Sequence, residues 1–310
     1  MNPVKRLLVG IDQSSTDNKL IKFCAGFAAV HPVDKIYIIH VAKNLELPEP
    51  VVQKYPDLIA PVDENIIHET TLLTEKYFDE TLRAKTEILV MEGNPAHTIL
   101  KEISIKEIDM LVMGKKSTPG NTGYLARKMA LLAGCNVAII ADQKSFNHHF
   151  PLFEKVLVPV DFSRFSKRSI EMAGSFIEKK AAGNITCQYV LEVPAHYHYG
   201  DNSFREILQL MEENSRKEMD NLLKENNIQE NKIEQIFTTD TGQNVPLKIH
   251  ETILAGHFDL VIMGSKGRTA AASVFLGSNA EKVIDYATCS IMVMKDKNHN
   301  LDLIDILLKS

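Results

Sequence analysis

The residues best suited to chemistry in this 310-residue chain form a glycine-rich segment in its second half. Gly264-Ser265-Lys266-Gly267 follows a short apolar run, and Gly277-Ser278 comes nine residues later, just before a helix-like stretch that starts at Asn279. Glycines let a ligand approach the backbone and can adopt positive φ, so successive N–H groups can point at one anion. Serine hydroxyls and the positive end of the following helix favour the same ligand. The spacing therefore predicts a polyphosphate site.

The apolar run before these glycines belongs to an internal repeat. Three strand-like blocks recur in the same order and at nearly the same spacing, starting at Leu7 and Val156, at Asp109 and Asp259, and at Cys135 and Cys289. A period of roughly 150 residues is the size of a domain, so the pattern predicts a duplicated domain rather than a solenoid of short units. We place the two domains at 1–148 and 149–310, with the boundary in the polar stretch 143–149.

Each copy alternates between apolar strand-like runs and amphipathic helix-like stretches. Ile36-Tyr37-Ile38-Ile39 is one such run, and an amphipathic stretch opens near Ser166. Continuous apolar runs are typical of strands buried on both faces, and parallel strands need helical crossovers. We therefore predict an α/β fold with two tandem, doubly wound, parallel-sheet (Rossmann-like) domains. Such sheets bind ligands beyond the carboxyl ends of their strands.

The glycine-rich segment, as it stands, resembles the ATP-binding signature of the universal stress protein family. The resemblance covers essentially the whole chain in tandem form, and two further segments support it: Val158-Pro159-Val160-Asp161-Phe162-Ser163 and Gly93-Asn94-Pro95-Ala96. It implies five-stranded sheets. It also implies that the second copy binds an adenine nucleotide (ATP, ADP or AMP), with or without Mg²⁺. The function so implied is nucleotide binding in stress response or signalling.

The resemblance also implies a role for each matching residue. Asp161 would accept hydrogen bonds from the nucleoside, while Pro159 and Val160 would line the base pocket. Val190 would contact adenine through its backbone, and Met263 would lie beside the base. The ribose and phosphates would be held by residues at the start and end of the glycine segment: Gly264, Ser265, Gly267, Gly277, Ser278 and Asn279. Asp161 alone could equally be only a helix N-cap, and Val190 only a core residue.

The corresponding segment of the first copy is degenerate. With Gly123 placed opposite Gly277, Tyr124 replaces Ser278, Lys115 replaces Ser265 and Ser117 replaces Gly267. The intervening loop is also shorter, and the Tyr124 ring could fill the site, whereas a lysine on such a loop is usually solvated. We expect that the first copy does not bind ATP or binds it weakly, although Asp12 retains a carboxylate after the first strand.

Composition excludes several other classes of function. The net charge of −5 and the pI near 6.1 argue against nucleic acid or an anionic membrane as a partner, since both need a basic surface. No apolar run approaches the roughly 20 residues that span a bilayer. The four cysteines lack CxxC spacing, which favours a reduced interior and hence a cytoplasmic protein.

The sequence favours binding over catalysis. It contains no Walker A lysine and no obvious base beside the glycines, so we do not expect an enzyme. A slow ATPase and a nucleotide-independent interaction scaffold remain as alternatives. His196 and His198 could bind a metal, stack over a nucleotide or lie on the surface.

The last segments of the two domains predict how the domains contact each other and how the protein could contact a second copy. We expect an intramolecular pseudo-dimer that packs through the last strands, 137–141 and 291–295. The amphipathic tail at 301–308 packs back on the protein or makes a contact in a homo-oligomer.

Overall fold

The computed structural model of the protein describes residues 3–43, 62–115, 123–142, 152–193, 202–229, 232–242, 244–267 and 276–297. The chain divides into two compact units. The N-terminal unit contains the described residues up to 142 together with 296–297, and the C-terminal unit contains those from 152 to 295.

The N-terminal unit is a parallel sheet with helical crossovers. Its strands are β1 (Arg6–Ile11), β2 (Lys35–Ala42), β3 (Thr86–Glu92), β4 (Met110–Lys115) and β5 (Asn136–Ala141). Its helices in the described ranges are α1 (Asp17–Val30), α2 (Val62–Tyr77), α3 (Glu80–Ala84), α4 (Pro95–Ile105) and α5 (Tyr124–Leu132). The strands lie in the order β3-β2-β1-β4-β5, and each adjacent pair is parallel.

The C-terminal unit repeats this plan. Its strands are β6 (Phe153–Val160), β7 (Ala182–Glu192), β8 (Glu234–Asp240), β9 (Leu260–Gly264) and β10 (Ser290–Met294). Its helices, over the same described part of the chain, are α6 (Arg164–Glu178), α7 (Asn202–Glu225), α8 (Val245–Gly256) and α9 (Ser278–Tyr286). The order is β8-β7-β6-β9-β10, again all parallel. The predicted fold class is confirmed.

Burial of both sheet faces explains the continuous apolar runs of the sequence. Leu111 and Val112 in β4, and Val261 and Ile262 in β9, are fully buried. Strands covered by helices on both sides have no face on which polar residues would be favoured. In the doubly wound order the chain reverses direction across the sheet between β6 and β9, which leaves a crevice at the carboxyl ends of these strands.

The duplication extends to individual hydrogen bonds. Asp109 accepts hydrogen bonds from the backbone N–H groups of residues 5 and 6, at 2.9 and 2.8 Å, where β1 begins. Asp259 does the same for residues 154 and 155, at 2.8 and 3.1 Å, at the start of β6. Both aspartates open the repeated blocks recognised in the sequence. They tie the loop before β4 or β9 to the first strand of the same unit.

The four cysteines are free and buried, as the absence of CxxC spacing predicts. Burial raises the pKa of the Cys187 thiol to about 12, because the thiolate loses its hydration. The pKa of the Cys24 thiol is raised for the same reason. Both thiols are therefore protonated packing groups near neutral pH. Among the described helices, none combines the length and the apolar character that a membrane span requires.

Candidate functional site

A cavity of about 530 Å³ opens at the carboxyl ends of β6, β7 and β9, at the crevice of the C-terminal unit. Of the eleven residues predicted for the site, ten line it: Pro159, Val160, Asp161, Val190, Met263, Gly264, Gly267, Gly277, Ser278 and Asn279. Because these residues come from segments up to 120 positions apart, it is the parallel sheet that brings them to one edge. The volume lies within the range typical of small-molecule sites.

Asp161 follows β6 directly and organises the start of α6. Its Oδ1 accepts hydrogen bonds from the Ser163 N–H, at 3.0 Å, and from the Ser166 hydroxyl. Ser166 Oγ in turn accepts from the Asp161 N–H at 3.0 Å. The helix N-cap itself is Ser163, whose side chain accepts from the Ser166 N–H. Asp161 is therefore not the N-cap residue, and its carboxylate lies at the cavity wall.

Two glycines of the segment, Gly264 and Gly267, are required by close approach rather than by backbone angle. A Cβ at Gly264 would lie 2.6 Å from Phe165 Cβ, and one at Gly267 would lie 2.8 Å from Asp161 Oδ2. Only Gly93 and Gly123 of the described glycines have positive φ. The cradle glycines of the described residues therefore do not use the positive φ that glycine allows, and what they permit is close packing against neighbouring side chains.

Ser265 is placed differently from the other predicted residues. It is buried and is not among the residues that line the cavity. Its backbone is hydrogen-bonded to two other segments. Its N–H donates to Met294 O at 2.9 Å, and its carbonyl accepts from the Gly277 N–H at 2.7 Å. The next residue, Lys266, lines the cavity instead. Ser265 thus joins the two ends of the glycine segment, and Lys266 brings a positive charge to the rim.

The N-terminus of α9 completes this side of the cavity. Gly277 is the N-cap, and no side chain in the described residues caps it through a hydrogen bond. The first N–H groups of a helix have no intrahelical acceptor and carry partial positive charge. Ser278 and Asn279 are exposed in this first turn and line the cavity. The arrangement can bind an anion.

Comparison with known families shows to which family the chain belongs. A sequence model described as the universal stress protein family matches residues 3–140 and, a second time, residues 152–295. The chain belongs to the universal stress protein family. The two matches correspond to the two units of the structure, so this universal stress protein is a tandem member.

Relatives of known family agree with this assignment, and related solved structures agree with the fold. A universal stress protein of Methanocaldococcus jannaschii is 29% identical over 153 residues, which are 46% of this chain and 83% of the relative. A second one from the same organism is 25% identical over 161 residues, 47% of this chain and 98% of the relative. A universal stress protein structure from Archaeoglobus fulgidus has a TM-score of 0.62 at 20% identity and covers 94% of this chain and 98% of its own. A putative one from Pseudomonas aeruginosa has a TM-score of 0.61 at 14% identity, with 100% and 99% covered, and both structures support the fold alone.

Several cavity residues of this universal stress protein were not predicted from the sequence. They are Ser166, Gln188, Tyr189, Glu192, Val245, Ile249, Lys266 and Ala280. Two had a visible signal. Gln188 is an amide within the apolar strand β7, where a polar residue needs a reason, and Ser166 stands in the first turn of α6. Val245 and Ile249 carried no signal, because an apolar helix face looks the same whether it covers a sheet or a cavity.

The N-terminal unit of this universal stress protein has a different strand-end arrangement. Asp17 stands where Ser166 stands in the second copy, and its Oδ1 accepts from the Asp12 N–H at 3.3 Å. Burial, with the neighbouring Asp12 charge, raises the pKa of Asp17 to about 6. His40 pairs with Ile11 in β2, and burial lowers its pKa. The first copy thus has a carboxylate where the second copy has the neutral hydroxyl of Ser166.

Two of the three expectations for the degenerate segment of the first copy concern described residues. The Tyr124 ring does not fill the site, since the residue is 80% exposed and lies under Lys128 Nζ, 5.7 Å from the ring centre. Lys115 is not solvated on a loop, because it ends β4 and is buried. Ser117 lies outside the described residues, as do His196, His198 and the tail at 301–308.

Proposed function

We propose that the protein binds an adenine nucleotide in its C-terminal unit, with ATP as the main ligand and ADP and AMP as alternatives. Binding would control its conformation or its affinity for a partner in stress response or signalling. The observation that carries the proposal is the cavity itself, which joins an apolar wall to an anion-binding rim at the crevice of a doubly wound sheet.

The rim suits the phosphate chain. Lys266 supplies positive charge, and the first turn of α9, with Ser278, supplies N–H and hydroxyl donors. Gly267 and Gly277 keep side chains out of the space between these donors, so that oxygens can reach the backbone. Mg²⁺ would enter with the nucleotide, since it is usually held through phosphates and only one or two carboxylates.

The apolar part of the cavity lining suits a flat base. Val160, Val190 and Met263 come from three adjacent strands, and Val245 and Ile249 lie one turn apart on α8. Aliphatic side chains on both sides of an aromatic ring remove apolar surface from water. Asp161 lines the same cavity where β6 ends, and its carboxylate would accept hydrogen bonds from ribose hydroxyls. The residues present therefore fit a nucleoside with a phosphate tail.

Isothermal titration with ATP tests the proposal. We expect wild type and Gly277→Ala to bind, and Gly277→Arg to lose binding at least tenfold, because the arginine side chain would enter the cavity. The backbone of Gly277, with φ −70° and ψ 149°, accepts either side chain. Absence of heat with wild type would exclude this site and favour the nucleotide-independent scaffold. Equal affinities for all three proteins would also exclude this site, because ATP would then bind elsewhere on the protein.

A further inference from the structure

A buried amide lines the cavity, and its carbonyl oxygen accepts no hydrogen bond from the described residues. Gln188 lies in β7, is fully buried and lines the cavity. Its Oε1 has no hydrogen-bond partner among the described residues. An acceptor left without a donor in a protein interior is unfavourable and rare in native structures, so it calls for an explanation.

The orientation of the amide is fixed by its neighbours on β8 and α8. Gln188 Nε2 donates to Thr238 Oγ1 at 3.0 Å, to Thr252 Oγ1 at 2.8 Å and, more weakly, to Lys248 O at 3.4 Å. The Thr252 hydroxyl has one proton, which it donates to Lys248 O at 3.0 Å. Thr252 can therefore only accept from Gln188, and the nitrogen must face it. A flipped amide would place two acceptors together, so Oε1 is held away from the threonines.

The position of Gln188 places this acceptor at the apolar end of the cavity. The helix that holds the amide, α8, also supplies Val245 and Ile249 to the cavity wall. The glycines follow β9, which lies two strands away from β7 in the sheet, with β6 between them. A nucleotide whose phosphates lie at the glycines and whose base extends across β6 would present the edge of that base to Gln188.

We propose that Gln188 is a specificity residue that accepts a hydrogen bond from the exocyclic amino group of the base. This inference rests on the proposed function and adds to it the chemical feature by which the base is chosen. A small turn of the terminal amide about χ3, a soft torsion, brings Oε1 to the ligand while Nε2 keeps a threonine partner. A base without an amino group at that edge leaves the acceptor unsatisfied and binds more weakly.

The test compares ATP with purine riboside 5′-triphosphate, which is ATP without its 6-amino group, by titration calorimetry. We expect wild type to prefer ATP by about fivefold, the effect of one hydrogen bond. Gln188→Leu, similar in size and without the acceptor, should bind the two nucleotides equally. Gln209→Leu, a change at an exposed glutamine of α7, should keep the wild-type preference.

The outcomes separate the two proposals. If neither nucleotide binds to wild type, the proposed function fails; if both bind with equal affinity, only the role of Gln188 fails. A preference that persists in Gln188→Leu also overturns the inference. Should that variant not fold, Gln188→Met replaces it, because methionine is unbranched, similar in length and lacks the amide oxygen. The ratio of the ATP affinity to that of the purine riboside triphosphate should then fall towards one, and an unchanged ratio overturns the inference.

Discussion

Gly267 and Asp161 approach each other so closely that a Cβ on the glycine would lie 2.8 Å from the aspartate Oδ2. The contact joins the glycine segment to the end of β6, and both residues line the cavity. The position of the strand-end carboxylate therefore depends on the absence of a side chain at residue 267.

Gly267→Ala is expected to weaken ATP binding about tenfold, because the added methyl group displaces the Asp161 carboxylate. The loop backbone itself has no left-handed angle to lose, so stability should change little. Calorimetry and thermal melting measure both effects. Gly242→Ala is the matched control, since its Cβ would make an ordinary 3.7 Å contact with Asp240 Oδ1. Equal ATP affinity in the two variants would contradict the role assigned to this contact.

Ser166→Ala should lower both stability and ATP affinity. The change removes the hydroxyl that donates to Asp161 Oδ1 and accepts from the Asp161 N–H. Loss of such a buried pair of bonds costs about 1–2 kcal/mol of unfolding free energy. Ser175→Ala is a control on the same helix, where the hydroxyl donates to Met172 O away from the cavity. Chemical denaturation should separate the two variants; a smaller loss in Ser166→Ala than in Ser175→Ala would refute the expectation.

Asp17→Asn should stabilise the protein at pH 7.5 and have little effect at pH 4. The folded-state pKa of Asp17, about 6, lies above its ordinary value of 3.8, so the folded state binds the proton more tightly. Stability associated with this proton is fully present below about pH 4 and is lost as the pH rises through 6. We expect a gain of about 1–2 kcal/mol at pH 7.5, solvent screening included. Melting curves at both pH values measure it, and a gain that is the same at both would contradict the assignment.

We expect bound ATP to persist without steady hydrolysis. Hydrolysis needs a group that orients water and another that stabilises the transferred charge. Asp161 Oδ1 is already engaged by the start of α6. Phosphate release measured with Mg²⁺ should match a protein-free blank. Steady release that disappears in Asp161→Ala or Glu192→Gln would instead identify a slow ATPase.

The sequence was sufficient to predict the fold and one side of the candidate site. Buried apolar runs, repeated at a domain-sized spacing, placed the strands, and the parallel order then brought Asp161 and the glycines to one edge. These features are local in sequence, and their geometry follows from the fold class.

The rest of the site depends on contacts that no local pattern reports. Gln188 meets Thr252 across 64 positions, and α8 covers the cavity only because it packs beside β7. The burial of Ser265 follows from hydrogen bonds to Met294 and Gly277 on other segments. Which side of a backbone faces a cavity is settled by such partners and not by residue type.

A crystal structure of the protein grown with ATP tests the central claim most directly. We expect the base against Val160 and Val190, and the phosphates between Gly267 and the first turn of α9. A cavity closed by its own side chains, or a nucleotide bound elsewhere on the protein, would contradict the assignment of this site.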